Sequence, residues 1–480
     1  MPVPTTEPSL RKSLGAGQVA LYGLGSMLGA GIYALVGRAA GIMGNAVWLA
    51  FFAAMVVAML TGLSYACVGS RYPKAGGAAY VTNRALRKPW LSYVVGLCVT
   101  MSGLTSMATG SQAMAETLGT ALRTQAQTGG LLARICQAIT ATLDSALSAE
   151  MQVKLIAIGI VLLVGLVIYR GIRESMWLNI LCTLVEAVGL LFIIAVGIRF
   201  WGSVDYLEVP AKIQGQGDAI LIMLVLQGAV LMFFSFIGFE DILNVSEEVK
   251  NPERNVPVGL LTAMILATTI YMAVAITAVS VIPWQQLAES KTPLMEVATR
   301  AAPWFENIDK VYILITLFAI GNTALLNFIM GSRLLYGMSA QGLLPRLLGR
   351  VHPVRRTPHV AIGVLFVIVS ALILSGEVKS LAESTVLLLL MVFTMVNISL
   401  VILKLRPNEP RGGFEVPIFV PVLGAIVCLV LIVIRTREAW TGSDPNSHIA
   451  PIVALSIVIL SLTLYFIMKP KNAVMNETED

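Results

Sequence analysis

Three acidic side chains sit where apolar sequence makes an acid costly. Glu186 lies within Leu184-Val185-Glu186-Ala187-Val188, and Glu240 and Asp241 follow Phe233-Phe234-Ser235-Phe236-Ile237-Gly238-Phe239. Both stretches are long enough to cross a bilayer, and a carboxylate at that depth normally faces a cavity, a pathway or a partner. Ionised, it attracts a cation; protonated, it carries a proton. Glu186 is the most isolated, with only Cys182 and Thr183 for polar company. Glu186 and Glu240 are the two candidates for moving a proton. Two plainer readings stand beside this one: a neutral Glu186 hydrogen-bonded between helices, and a Glu240–Asp241 pair solvated at the end of its segment.

Glycines supply the second kind of chemistry. Gly25-Ser26-Met27-Leu28-Gly29-Ala30-Gly31-Ile32-Tyr33 interrupts one apolar stretch, and Phe234-Ser235-Phe236-Ile237-Gly238 interrupts another. A helix broken in hydrocarbon frees N–H and C=O groups that no water satisfies, so the break must line a cavity or bind something. Past an unwound turn, the new half-helix offers unpaired N–H groups and a positive dipole end, which suit a carboxylate. The carbonyls before the break suit an ammonium, so one broken helix can hold both ends of a zwitterion. Glycine permits the close backbone approach this needs. The plainer reading of the first break is helix packing, because Gly25–Gly29 and Gly37–Gly41 are both G-x-x-x-G pairs. Two breaks in corresponding positions of two halves point instead to a solute site between repeats.

The elements that must position these groups are helices in lipid. Hydrophobic residues make up 57% of the 480 positions and charged residues 12%, about half the usual charge of a soluble domain. Mean hydropathy is +0.82. Apolar runs of bilayer length recur throughout, which predicts an all-α integral membrane protein of about twelve transmembrane helices, one domain over 1–480 with no separate soluble part. Met1–Lys12 lacks the layout of a cleaved signal peptide. The densest Lys/Arg clusters, Arg71–Lys88 and Arg346–Arg356, fall on one side of such a topology, so the positive-inside rule makes both termini cytoplasmic. The net charge of +6 mostly reflects that bias and does not argue for nucleic acid. Five Cys form no C-x-x-C pair and three His fall in predicted loops, so neither a metal, a cofactor nor a histidine relay is expected. Zinc, paired-Asp and G-x-S-x-G contexts are absent, which speaks against an intramembrane enzyme. Within 119–150, Leu131, Ile135, Ile139, Leu143 and Leu147 recur at i+4 and predict a short helix with one apolar face.

Four motifs, in order, resemble the amino acid–polyamine–organocation superfamily of amino-acid permeases. Gly29-Ala30-Gly31-Ile32 is similar to its first-span G-[SA]-G-I, and Phe234–Glu240 to its sixth-span [FW]-S-F-x-G-x-E. Glu247–Pro257 is similar to E-E-x-K-N-P-x-x-x-x-P, and Pro73–Tyr80 to P-x-[AS]-G-G-x-x-Y. The resemblance covers nearly the whole chain. It implies a five-plus-five inverted repeat, the leucine-transporter fold, with repeat one at about 17–200, repeat two at about 218–404 and two further helices at about 417–468. It also implies a substrate site of Met27, Gly29, Ala30, Gly31, Phe234, Ser235, Ile237 and Gly238. Backbone at Ala30 and Gly31 would take the substrate carboxylate, and carbonyls near Met27, Phe234 and Ile237 its ammonium. Phe234 stands where some relatives place an aromatic gate. Glu240 matches a Glu implicated in proton coupling, while Glu186 stands where proton-coupled relatives often have a Lys. The expectation is secondary transport of amino acids, neutral ones by preference, across the plasma membrane. Proton coupling is the first reading, substrate exchange the alternative, and a transport-like nutrient sensor the third.

Overall fold

The structure, a computed structural model, describes residues 10–126, 148–210, 218–290, 292–375, 378–441 and 448–468. Among these, regular structure is helical apart from one isolated parallel bridge between Leu14 and Val249. The helices are α1 (Ala16–Met27), α2 (Ala30–Met43), α3 (Val47–Arg71), α4 (Gly77–Leu86), α5 (Pro89–Ala126), α6 (Ala149–Arg170), α7 (Ile172–Gly197), α8 (Asp218–Phe233), α9 (Asp241–Asn244), α10 (Pro252–Val281), α11 (Trp284–Glu289), α12 (Pro293–Ala301), α13 (Ile308–Ala340), α14 (His359–Ser375), α15 (Val378–Leu405), α16 (Phe419–Thr441) and α17 (Ile449–Met468). The apolar face predicted within 119–150 falls largely on 127–147, outside the described residues.

Among the described residues ten stretches are long and apolar enough to cross a membrane, and His359–Leu374 is a shorter apolar helix. In hydrocarbon every backbone polar group must be satisfied within the protein, which leaves helices as the spanning form for such sequences. Burial separates inner from outer helices. The most apolar parts of α5 and α15 are 72% buried, against 17% for α17. Leu163 and Leu166 of α6, Val188 of α7, Val433 of α16 and Leu455 of α17 are exposed, as expected of side chains that meet lipid tails. The chain is a multi-pass membrane protein.

Inside this ring, α3 packs along α10, α5 along α13, and α6 along α14, while α1 lies between α10 and α7. Two sets of contacts tie the helix ends. On one face, Glu415 accepts from Arg71 Nε and Lys404 Nζ, both at 2.6 Å, and Glu409 accepts from Tyr72 Oη at 2.8 Å and Arg84 Nε at 3.0 Å. Burial opposes charge on Glu415, but the bonds from Arg71 and Lys404 outweigh it and bring the carboxyl down to about 2. That contribution to stability is present above the usual carboxylate range and is lost as pH falls toward 2. On the opposite face, Asn45 Nδ2 donates to Glu208 at 2.9 Å and Trp48 Nε1 to the Tyr206 carbonyl at 3.1 Å.

The segment ahead of α1 is fastened too. The N–H groups of Ser13 and Leu14 donate to the Glu248 carbonyl, and Lys250 N–H donates to that of Leu14. Leu10 packs with Ala75 and Val351.

Candidate functional site

The first break is short. Leu28 N–H closes the last turn of α1 on the Leu24 carbonyl, and α2 starts two residues later at Ala30 with Gly29 as its N-cap. The opening N–H groups of α2 have no partner within their helix. Three glycines let this strand of backbone pass between its neighbours. A Cβ at Gly25 would collide with Thr183 Oγ1, one at Gly29 would stand 2.5 Å from Thr323 Oγ1, and one at Gly31 would stand 3.1 Å from Ser235 Cα.

The second break is longer than a single glycine. After α8 ends at Phe233, Phe234–Phe236 form a 3-10 turn, Ile237 is extended, and Gly238 adopts φ +122°, which a side chain would resist. Gly238 N–H donates to Glu240 Oε2 at 2.8 Å rather than to a helical carbonyl. Regular helix resumes only as the four residues of α9, followed by another 3-10 turn at Ser246–Glu248. A side chain has replaced the helical ladder here, which is why the segment does not rewind at once.

The two breaks face each other. Gly31 lies against Ser235, and a Cβ at Gly238 would stand 2.6 Å from Ser26 Oγ and 2.7 Å from the Ser26 carbonyl. Ser26 Oγ donates to Asp241 Oδ2 at 2.7 Å. Tyr271 of α10 joins them from the side: its hydroxyl meets the carbonyls of both Met27 and Ser235. Its ring is held against Phe51 and Phe236, with centroids at 5.5 and 5.6 Å. Phe234 and Ile237 are half-buried, whereas Ser235 is buried and its Oγ has no hydrogen-bond partner among the described residues. Met27 therefore keeps one carbonyl lone pair free and spends the other on Tyr271. Tyr271→Phe removes only the hydroxyl, and with it the one proton that the buried carbonyls of Met27 and Ser235 share. It is expected to destabilise the fold by about 1–3 kcal/mol, read as a lower Tm of the purified protein; an unchanged Tm would show that the bridge contributes nothing.

The acids separate clearly. Glu240 and Asp241 are 4% and 5% exposed, so the solvated alternative does not hold, and each has a donor, Gly238 N–H and Ser26 Oγ. Glu186 is fully buried; its carboxyl lies against the Asn322 amide, with no well-formed hydrogen bond to either oxygen among the described residues. Beside it Asn179 Nδ2 donates to Asn322 Oδ1 at 3.0 Å, and Asn322 Nδ2 to Thr183 Oγ1 at 3.2 Å. These amide and hydroxyl groups of α7 and α13 close around Gly25. Thus the C-terminal turn of α1 carries both these polar neighbours, at Gly25, and the break that follows Met27.

Several members escape a sequence reading. Tyr271 looks like one more aromatic on an apolar helix, and Asn179 and Asn322 like ordinary packing amides. Arg333 did carry a signal: a cation within an apolar run asks for a partner. It pairs with Glu248 at 3.2 Å, both side chains fully buried. Among the described residues no group of His, Cys, Asp and Glu could hold a metal ion.

Two broken helices facing one another inside a multi-pass helical protein define a membrane carrier. The chain belongs to the amino acid permease family, whose pattern it matches over residues 14–468; this is a family of transporters, not of enzymes. It is 26% identical to the branched-chain amino acid permease of Bacillus subtilis, over 98% of this chain and 96% of that one. It is 27% identical to the methylthioribose transporter of the same organism, again over 98% and 96%. Cationic amino acid transporter 4 of Mus musculus is 29% identical over 85% of this chain and 62% of its own.

Proposed function

We propose that the chain carries neutral amino acids across the plasma membrane by alternating access, coupled to protons. The observation that carries this reading is the juxtaposition of the two breaks, Gly31 against Ser235 and Gly238 against Ser26. In this reading the substrate carboxylate takes the N–H groups at Ala30 and Gly31, where Gly29 keeps the backbone bare. Its ammonium takes the free lone pairs of Met27, Phe234 and Ile237. Ser235 Oγ, buried and unpartnered, supplies one more polar contact, Gly238 lets α1 approach, and half-buried Phe234 closes over the ligand. Moving along α13 from Gly29, the next polar groups are Thr323, then Asn327, which donates to Ser106 of α5 at 3.4 Å. All three are uncharged, which favours a neutral side chain over a cationic one. The names of the relatives span branched-chain, cationic and thioether solutes, so this local chemistry decides the choice. Competition by each of the twenty amino acids against a labelled neutral one in proteoliposomes tests it: inhibition confined to Lys and Arg would overturn the neutral assignment.

Two further parts of the reading rest on arrangement. Span n packs on span n+5 in three pairs, α3 with α10, α5 with α13 and α6 with α14. This supports repeats over about 17–200 and 218–404, with 417–468 added and twelve crossings in all. Glu186 is the leading proton carrier, because Glu240 already has Gly238 as donor. The Lys/Arg bias puts both termini in the cytoplasm. An engineered Cys at Trp304, 67% exposed, is then expected to react with an impermeant thiol reagent on intact cells, and one at Val354, 83% exposed, only after permeabilisation. The reverse pattern would invert the topology.

A further inference from the structure

On the face that carries the C-terminal ends of α3 and α15, a cavity of about 320 Å³ is lined by Arg71, Lys404, Arg411, Glu415 and Ile418. Three cations meet one carboxylate there. That carboxylate is fully engaged: Arg71 reaches it with two nitrogens at 2.6 Å, Lys404 at 2.6 Å and the Gly412 N–H at 3.2 Å. Its carboxyl, held down at about 2 against the opposing effect of burial, stays ionised and claims no more than it has. The donors left over belong to the cations. Lys404 has three N–H donors, of which Glu415 takes one, and Arg411 has five and forms no ion pair among the described residues. An excess of two positive charges with unspent N–H groups suits a phosphate oxygen better than a neutral ligand.

The rim adds the second half of the ligand. Ile418, Phe419, Val422 and Leu423 are exposed apolar residues at the start of α16, continuous with its lipid-facing side. A soluble anion would leave them unused. We propose that this cavity binds the phosphate of an anionic phospholipid headgroup, with the acyl chains running down α16. Basic pockets at the ends of membrane helices recognise such headgroups through the same combination of charge and adjacent lipid. Occupation would pin the loop between α15 and α16 to the end of α3, beside the inner ends of the helices that hold the site.

The test titrates the purified protein in neutral detergent with phosphatidylglycerol, phosphatidylcholine or inorganic phosphate, following Tm. Phosphatidylglycerol is expected to raise Tm and phosphatidylcholine to leave it. Arg411→Gln is expected to raise the phosphatidylglycerol concentration for half effect about fivefold. Arg350→Gln, an equal loss of charge at an exposed residue of the loop after α13, is expected to leave it unchanged. Arg411 lies in no helix, and a lipid-free Tm equal to wild type confirms that the variant folds. Equal stabilisation by phosphatidylcholine, or an Arg411→Gln titration matching wild type, would overturn the proposal. Inorganic phosphate reproducing the whole shift at the same concentration would overturn the lipid as its source.

Discussion

Vesicles carrying Glu186→Gln are expected to take up substrate without responding to an imposed proton gradient, while substrate-for-substrate exchange persists. The reason is the surroundings of that carboxyl: it is buried, with no well-formed hydrogen bond among the described residues and only uncharged polar groups, Asn322 foremost, close by. An unpaired buried carboxylate costs several kcal/mol of desolvation; in the proton-coupled reading proposed above, its proton would be held in one conformation and released when the neighbourhood opens to water. Gln keeps the shape and fixes the neutral form. One proton moved per substrate allows about tenfold accumulation per unit of pH gradient, and this factor is what the variant is expected to lose. Glu240→Gln behaves differently in this account. It weakens the bond to Gly238 N–H and is expected to lower Tm before it alters coupling. If Glu186→Gln concentrates substrate as wild type does, coupling lies elsewhere and the exchanger reading gains.

The second large effect is expected at Gly31. Gly31→Leu is expected to weaken substrate binding by about a hundredfold, because two charge-assisted N–H contacts are worth about 3 kcal/mol. The added side chain fills the space beside Ser235, where a Cβ alone would already stand 3.1 Å from its Cα. Gly159→Leu provides the control, since nothing lies within 4 Å of a Cβ there. Binding is read as substrate-dependent stabilisation of purified protein that runs as a single species without ligand. Full stabilisation of Gly31→Leu would remove the first break from the substrate site.

Some of this architecture was legible in the residues and some was not, for physical reasons. Helical spans announce themselves through length and hydropathy, because lipid allows few alternatives. The breaks were legible because glycine in an apolar run is a cost without a reward unless something binds or packs there. Glu186 stood out for the same kind of reason. What stayed hidden depends on through-space neighbours. The extent of the second break follows from Glu240 folding back on Gly238, a contact that no periodicity encodes. Tyr271 joins carbonyls 208 positions apart in the chain, those of Met27 and Ser235, and a tyrosine carries no mark of that duty. Asp241 is buried beside Ser26, a donor 215 positions away in the chain that the local sequence does not reveal.

The fastening of Leu14 to the inner end of the second broken helix has a consequence for direction. In the proposed carrier, opening the substrate site toward that face would part α1 from the 246–250 segment. The three backbone bonds through Ser13, Leu14 and Lys250 resist this parting. Under the alternating-access reading proposed above, this fastening favours an empty carrier that is closed on the strapped face. On that reading, trimming the chain ahead of α1 is expected to speed opening on the strapped face more than opening on the far one.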